Sequence, residues 1–322
     1  MRRNSFEKII LLIIILNSLA ACTTLRSEES AKSPLRVAYS ESWGDYTLLI
    51  AKEKGLFEKY GVEVEPVYYK IVSKTYSDLA AGQIDGALIG VGDAIKINYS
   101  SDMKIISISD DGGMDAIIGR SEINSIEDLK GKKIGVPLGT QYELVIKDML
   151  RSANMDSSEV ILVGIEPKNA LFALKNNQVQ AAYTWEPFIS DAISNGNKII
   201  YSSENLRLFP DVIVFNALIV EDRPEDIRAF MLAWFEAVEY RQQNQQETRA
   251  IAAKYLDVDI EKIQVDDNMT LLSLEENKAM FDVQKEDSIY VVTKRTSEYL
   301  ISIGAIAQQF DPLELIDPDY LP

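Results

Sequence analysis

The chain has 322 residues, with 50 acidic and 33 basic side chains and a formal net charge of −17. This acidity argues against nucleic acid and against an anionic membrane surface as partners. The sequence contains no histidine and one cysteine, which removes the commonest metal ligand and general base and leaves no pair for an internal disulfide. Its length predicts two domains, and we expect neither a cofactor nor a metal ion.

The first 34 residues are predicted to lie outside the folded domains. Basic residues precede the apolar run Ile9–Leu16, which is too short to span a bilayer and is typical of a signal peptide. The tetrapeptide Leu19–Cys22 resembles the lipobox of bacterial lipoproteins, in which the cysteine is lipidated. The alternative is an ordinary signal peptide with an incidental cysteine. We predict a signal peptide over residues 1–21, a lipid anchor at Cys22 and a polar tether over residues 22–34.

From Leu35 onward, strand-like and helix-like segments alternate, which predicts an α/β architecture. Strands are predicted over residues 35–40, 62–69 and 86–90, each followed by a helical pattern. Asp45 is predicted to cap the first of these helices, Asp93 caps a later one, and Gly55 lies beyond the first helix's end.

The second half of the chain repeats this order of elements. Strands are predicted over residues 132–136, 159–164 and 181–184, with helices over residues 141–153 and 169–176 and after residue 184. The segment Leu79–Gly90 aligns with Leu174–Trp185, since both contain a helix end, a turn, a glutamine and then small strand residues. Any two βαβ units share some of this pattern, but two similar α/β lobes are the most economical structure.

The remainder of the chain is predicted to return to the first lobe. Asp211–Val220 is a long β-rich run, and a helical pattern extends from Pro224 to about Asn244. Further helices follow without a new strand, so we expect them to pack on the first lobe. The predicted lobes are residues 35–118 with 217–322, and residues 119–216.

Four segments in the same order resemble one family of binding proteins. They are "LRVAYSESWGDYTLLIAKEKGLFEKYGVEVEPVYY", "LAAGQIDGALIGVGDA", "LKGKKIGVPLGT" and "AAYTWEPF". They resemble the substrate-binding proteins of ABC importers in the nitrate, sulfonate, taurine and thiamine-pyrimidine-precursor family, over about residues 35–220. The resemblance implies a periplasmic-binding-protein clamshell of type II with mostly parallel sheets, flanking helices and a helical C-terminal region. It also implies a monomer outside the cytoplasm that delivers a small solute to membrane permease subunits.

The resemblance also raises the question of an enzyme. Related thiamine-pyrimidine synthases have this fold, but they are cytosolic and consume an active-site histidine. The chain has no histidine, so we predict that it is not an enzyme. An extracytoplasmic ligand sensor on the same fold is the alternative from another class.

Ligands of open α/β sheets bind beyond the carboxyl ends of the strands. The candidate ligand contacts in the strand-end loops are Glu41, Trp43, Asp45, Asp93, Asp110, Gly139, Thr140, Trp185 and Glu186. Trp43 and Trp185 are placed to face a solute from opposite lobes, and the alternative for Trp185 is packing at the hinge against Pro187.

The charge of these loops favours a ligand with an amine or several N–H donors. Seven carboxylates and no lysine or arginine occur in them: Glu41, Asp45, Asp93, Asp110, Asp111, Glu166 and Glu186. Nitrate or an aliphatic sulfonate is the alternative, since Gly139 and Thr140 precede a helix whose N–H groups can bind an anion. Helix capping explains part of the acidity, and the spacing of the aspartates in "DDGGMD" does not fit a calcium loop.

Overall fold

The computed structural model describes residues 33–322, except residues 113–114, 139, 141, 203–208, 264 and 266–268. The predicted signal peptide, the lipidation site at Cys22, most of the tether and Gly139 therefore lie outside the described residues. Residues 35–322 form one compact unit. None of the helices in the described ranges combines the length and the apolar character needed to cross a membrane.

Ten strands and thirteen α-helices occur in the described residues. The strands are β1 (Leu35–Tyr39), β2 (Val64–Tyr68), β3 (Gly86–Gly90), β4 (Met103–Asp110), β5 (Ala116–Gly119), β6 (Lys133–Val136), β7 (Ile161–Gly164), β8 (Ala181–Thr184), β9 (Lys198–Ser202) and β10 (Asp211–Asn216). The helices are α1 (Tyr46–Glu53), α2 (Leu56–Lys59), α3 (Val72–Ala80), α4 (Val91–Asn98), α5 (Glu143–Ser152), α6 (Ala170–Lys175), α7 (Phe188–Ser194), α8 (Ala217–Asp222), α9 (Pro224–Gln243), α10 (Gln245–Leu256), α11 (Leu274–Met280), α12 (Ile289–Ser302) and α13 (Pro312–Leu315).

The strands form two five-stranded sheets with the same arrangement. Their orders are β2-β1-β3-β10-β4 and β7-β6-β8-β5-β9. In each sheet the first three strands are parallel, and the fourth is antiparallel to both of its neighbours. The predicted two-lobed α/β fold of type II is confirmed.

The internal repeat seen in the sequence corresponds to equivalent backbone contacts. The Asp85 N–H donates to the Arg36 carbonyl at 2.8 Å, and the Gln180 N–H donates to the Lys133 carbonyl at 2.9 Å. Each bond ties the turn before the third strand of a sheet to the start of its second strand. The aligned segments thus occupy the same place in the two lobes.

The chain changes lobes earlier than predicted at both crossings. β5 pairs with β8 and β9 in the second sheet, and β10 pairs with β3 and β4 in the first. Strand β5 thus belongs to the second sheet and β10 to the first, which differs from the boundaries predicted after residues 118 and 216, and the crossings lie between β4 and β5 and between β9 and β10. The reason is that β5 and β10 are intact strands, so the chain crosses in the loops before them.

Gly112 in the first crossing lies against Phe209 in the second. Gly112 has a φ of 87°, and a Cβ at this position would overlap the Phe209 carbonyl oxygen. A side chain is excluded both by the left-handed backbone and by this close approach. On the first lobe, the Val91 N–H donates to the Pro210 carbonyl at 3.1 Å.

The β-rich run predicted over Asp211–Val220 divides into a strand and a helix. β10 ends at Asn216, whose side chain accepts a hydrogen bond from the Leu218 N–H and caps α8. A local side-chain cap therefore outweighs the β-propensity of the residues that follow. Pro224 occupies the first turn of α9 as predicted.

The helices after β10 pack on the first sheet, as expected. Phe230 and Trp234 of α9 are fully buried in one core cluster with Leu35 and Val37 of β1. Leu300 of α12 lies in a second cluster on the other face of this sheet. The first lobe is thereby larger than the second.

Candidate functional site

Arg241 of α9 binds the loop that follows β1. It was not among the site residues predicted from the sequence. Its side chain is 2% exposed. The guanidinium donates to the Gly44 carbonyl at 3.0 Å, the Trp43 carbonyl at 2.7 Å and the Thr47 hydroxyl at 2.5 Å. It also lies 4.6 Å from the centroid of the Trp43 ring, a cation–π distance. Trp43 is half-buried, and part of its surface is occupied by this arginine.

Asp45 follows this loop and is buried. Its carboxylate accepts hydrogen bonds from the Ser40 N–H at 2.6 Å and the Ser40 hydroxyl at 2.8 Å. Asp45 occupies the predicted N-cap position of α1, but its side chain makes no cap hydrogen bond there, because the Ser40 N–H and hydroxyl bind the carboxylate instead. Burial raises the pKa of Asp45 to about 7, with Asp110 also raising it and Ser40 and Arg241 opposing.

Asp110, the last residue of β4, lies directly beneath the loop. Its carboxylate accepts hydrogen bonds from the Ser109 hydroxyl and the Gly112 N–H, both at 3.0 Å. A Cβ at position 44 would overlap this carboxylate, so only glycine fits there. Burial raises the pKa of Asp110 to about 6, and the neighbouring Asp111 adds to the shift.

Asp93 lies in the first turn of α4 and is 3% exposed. Its carboxylate accepts a hydrogen bond from the Tyr76 hydroxyl at 2.5 Å and is 2.7 Å from Lys96 Nζ. Gly90 occupies the N-cap position of α4, so the prediction that Asp93 caps this helix is wrong. The tyrosine and lysine instead orient the carboxylate toward its neighbours on this edge.

Asp211 is a further acidic residue at this edge that sequence reasoning missed. It is the first residue of β10 and lies opposite Gly90 and Asp110 in the register of the sheet. Because β10 is antiparallel to its neighbours, its first residue, and not its last, reaches their carboxyl ends. Burial raises the pKa of Asp211 well above its ordinary value, and Asp110, Asp45, Asp115 and Asp93 raise it further. We call Asp45, Asp93, Asp110, Asp115 and Asp211 the acidic cluster.

An aromatic group lies at the carboxyl ends of the second sheet. The Tyr142 ring centroid is 4.8 Å from that of Tyr183, 5.5 Å from that of Trp185 and 6.2 Å from that of Phe209. Trp185 is half-buried and also 5.9 Å from Tyr183. We call these four residues the aromatic wall. Neither Tyr142 nor Phe209 was predicted, although both sit in the strand-end loops or the crossing.

Three other predicted site residues have partners within their own lobe. Glu41 is exposed and accepts a hydrogen bond from the Tyr68 hydroxyl. The Thr140 hydroxyl donates to the Pro137 carbonyl at 2.6 Å. Glu186 accepts hydrogen bonds from the Ser190 N–H at 3.1 Å and hydroxyl at 3.0 Å, at the start of α7. These contacts join none of the three to the acidic cluster.

The two lobes are in contact between α12 and α5. Tyr299 of α12 lies with its hydroxyl 3.5 Å from Glu143 of α5, and Lys147 Nζ is 4.5 Å from the Tyr299 ring centroid. Burial raises the pKa of Tyr299 above its ordinary value, and Glu143 adds to the shift. This contact joins α5, the helix that follows β6 in the second lobe, to α12 in the C-terminal region.

The described residues contain no group of three or more histidine, cysteine, aspartate or glutamate side chains arranged as a metal site. The acidic cluster is therefore a set of spaced carboxylates. Such a set can accept hydrogen bonds from a small molecule with several N–H groups, and an aromatic ring can stack on the wall opposite.

Residues 28–257 match the NMT1-like family. The chain belongs to this family. A binding protein of Brucella abortus (strain 2308) is 30% identical over 272 residues, covering 83% of this chain and 82% of the relative. An aliphatic sulfonates-binding protein of Bacillus subtilis (strain 168) is 26% identical over 269 residues, covering 80% of each chain.

The NMT1-like chain also has the fold of a solved solute-binding protein. The periplasmic aliphatic sulphonate-binding protein of Escherichia coli superposes with a TM-score of 0.73 at 17% identity, covering 89% of this chain and 92% of that one. The predicted membership among the substrate-binding proteins of ABC importers is confirmed.

Proposed function

We propose that this NMT1-like protein is the lipid-anchored, extracytoplasmic receptor of an ABC importer and binds an amine-bearing or aminopyrimidine-like solute. The solute lies between the acidic cluster and the aromatic wall and passes to permease subunits in the membrane. The observation that carries the ligand class is the convergence of the aspartates on one edge of the first sheet. The protein acts by binding and does not transform the solute.

The electrostatics of the cluster favour a positively charged or N–H-rich solute. The raised pKa values of Asp45, Asp110 and Asp211 show that their ionised forms are costly. A cation placed among carboxylates in a region of low dielectric constant relieves this cost, whereas an anion increases it. Arg241 stabilises Asp45 and Asp110, but its hydrogen bonds go to the loop backbone and to Thr47.

Sulfonate binding is the second candidate function, because a relative of similar length is named for aliphatic sulfonates. In this protein a sulfonate would have to approach N–H groups at the start of α5 while avoiding the acidic cluster. The two candidates predict opposite charges on the ligand, and a binding screen separates them.

Closure of the two lobes over the solute supplies the signal for delivery. A ligand that contacts both lobes stabilises the closed form in proportion to its preference for that form. The adjacent crossings at Gly112 and Phe209 are the expected hinge, and the contact between Tyr299 and Glu143 forms part of the closed interface.

A thermal-shift screen of the purified protein tests the ligand class. The panel contains benzylamine, putrescine, aminopyrimidines and nucleobases, with taurine, alkanesulfonates, nitrate and bicarbonate as anionic or zwitterionic comparisons. A ligand at about 100 times its Kd adds about 2.7 kcal/mol of stability, which is readily measured. Stabilisation by amine-bearing compounds is expected. Stabilisation by sulfonates or nitrate alone would retain the importer and overturn the proposed ligand.

Replacing Trp185 with alanine tests whether the aromatic wall binds the solute. We expect the affinity for the best ligand of the screen to fall roughly tenfold or more, because a stacking surface is lost. Stability should fall by no more than about 2 kcal/mol, since Trp185 is only half-buried.

The matched control is Trp185→Phe, which retains an aromatic face and should keep most of the affinity. Isothermal titration and urea unfolding measure the two effects separately. A loss of about 3–5 kcal/mol with unchanged affinity would assign Trp185 to the core instead.

A further inference from the structure

Asp211 stands at the junction of the two lobes. The residues before it form a crossing, and its partner in the register, Asp110, immediately precedes the other crossing. Asp211 therefore lies at the base of the cleft, next to both crossings. It is half-buried, in contrast to the nearly inaccessible Asp45, Asp93 and Asp110.

The charged neighbours of Asp211 are carboxylates from both lobes. Six titratable groups face Asp211. They are Asp45 after β1, Tyr76 of α3, Asp93 of α4, Asp110 of β4, Tyr183 of β8 and Asp115 before β5. Lys96 pairs with Asp93, and Arg241 stabilises Asp45 and Asp110. The strongest interactions of Asp211 are thus all with acidic groups.

The Tyr183 hydroxyl is an independent indication of a ligand at this point. Tyr183 is 0% exposed, and its hydroxyl oxygen has no hydrogen-bond partner among the described residues. Burial raises the pKa of Tyr183, and Asp115, Tyr142 and Asp211 raise it further, with Asp115 close enough to interact with the hydroxyl itself. Because no partner meets the geometry of a full hydrogen bond, the buried hydroxyl remains under-satisfied, which is costly. The two carboxylates near it belong to the acidic cluster.

We propose that Asp211 and the Tyr183 hydroxyl, brought together from opposite lobes, form the subsite that receives the protonated nitrogen of the solute. Asp211 provides the counter-ion, and the Tyr183 oxygen accepts a second N–H bond. The assignment rests on the proposed amine-bearing ligand and specifies which of the carboxylates recognises it. It also couples recognition to closure, because one partner comes from each lobe.

Binding at this subsite releases a proton. In the empty protein, burial and then repulsion by the neighbouring carboxylates raise the pKa of Asp211 and favour its acid form. A cationic nitrogen can pair only with the ionised form, so it displaces that proton to the solvent. Affinity for a cation should therefore rise with pH as long as the ligand's own amine stays protonated.

The first experiment compares wild-type protein with Asp211→Asn by isothermal titration with benzylamine and putrescine. Benzyl alcohol and 1,4-butanediol serve as neutral counterparts, and two buffers of different ionisation enthalpy report the released proton. We expect the variant to lose amine affinity by roughly 100-fold, as for a buried charge-assisted bond, and to release no proton. The exposed Asp222 of α8 supplies the control Asp222→Asn, which should match wild type.

The outcomes separate this inference from the proposed function. If an amine binds wild-type protein and Asp211→Asn equally well, the subsite is wrong while the amine-binding receptor stands. If neither amine binds and a sulfonate does, the subsite and the proposed ligand class both fail, while the importer receptor stands.

The second variant, Tyr183→Phe, keeps the ring of the aromatic wall and removes its hydroxyl. The empty protein should be about as stable as wild type, because the hydroxyl has no well-formed hydrogen bond to lose, only a weak interaction with Asp115. Amine affinity should still fall, by roughly 5- to 10-fold. Unchanged affinity would remove Tyr183 from the subsite, and lost stability would give the hydroxyl a structural role instead.

Discussion

Replacing Arg241 with methionine is expected to lower the free energy of unfolding by about 3–5 kcal/mol, as for other buried charges separated from their partners. The guanidinium satisfies the carbonyls of Trp43 and Gly44 and the Thr47 hydroxyl. It also stabilises the ionised forms of Asp45 and Asp110, although burial lowers its own pKa to about 9. Methionine fills much of the volume but removes the donor to the Trp43 carbonyl and the Thr47 hydroxyl, whereas the Gly44 carbonyl keeps its bonds from Thr47. Urea unfolding followed by circular dichroism measures the loss.

A control on the same helix distinguishes this role from a general effect of removing a positive charge. Arg228 also belongs to α9, but its side chain is 48% exposed, and it lies 3.8 Å from Glu225 and donates to the Asp319 carbonyl at the surface. Arg228→Met should cost less than about 1 kcal/mol, as exposed ion pairs do. Equal losses in the two variants would contradict a special role for Arg241. Arg241→Lys should be intermediate, since one ammonium cannot reach all three acceptors.

The empty protein is expected to lose stability as the pH rises from about 5 to about 8. Burial raises the pKa of Asp45 to about 7 and that of Asp110 to about 6. The folded protein therefore binds more protons than the unfolded chain above the ordinary aspartate pKa of about 4, and rising pH favours unfolding. At about 1.4 kcal/mol per pKa unit, the combined loss is on the order of 3 kcal/mol or more. Urea midpoints across this range measure it.

Two variants check the assignment of this pH dependence. Asp45→Asn keeps an acceptor for Ser40 and should flatten the decline. Asp156 is a contrasting carboxylate, because hydrogen bonds from Ser158 lower its pKa. The stability that Asp156 contributes is present above its pKa in the unfolded chain and is lost at lower pH. Asp156→Asn should therefore leave the decline in stability from about pH 5 to pH 8 unchanged. Stability that rises over this range in the wild-type protein would contradict the role of the acidic cluster.

Local sequence pattern was enough to predict most of the fold. The strands Gly86–Gly90 and Ala181–Thr184 were predicted at their observed bounds, because short apolar runs between turn residues leave little freedom of assignment. The alignment of the two halves also placed these two strands at the same position in their respective sheets. The helix after Asn216 was missed, since its cap depends on one side chain within a β-rich sequence.

The grouping of three aspartates of the acidic cluster could be predicted, for a geometric reason. Asp45, Asp93 and Asp110 follow or end strands whose carboxyl ends meet at one edge, so their grouping could be expected. Their hydrogen-bond partners could not, because the Tyr76 hydroxyl that binds Asp93 comes from another helix. Asp45 has the predicted N-cap position but makes no cap bond, because its carboxylate binds Ser40, whereas Asp93 lies within the first turn of α4 and Gly90 is the N-cap.

The sequence alone determined the alternation of strands and helices, the internal repeat, the family resemblance and the acidic character of the strand-end loops. These properties depend on residues that are close in the chain. Only the tertiary structure decided that Asp211, at the start of an antiparallel strand, joins the acidic cluster and that Arg241 of a distant helix supports the loop above it. Strand direction and helix docking bring these residues into place, and both are set by packing between segments that are far apart in sequence.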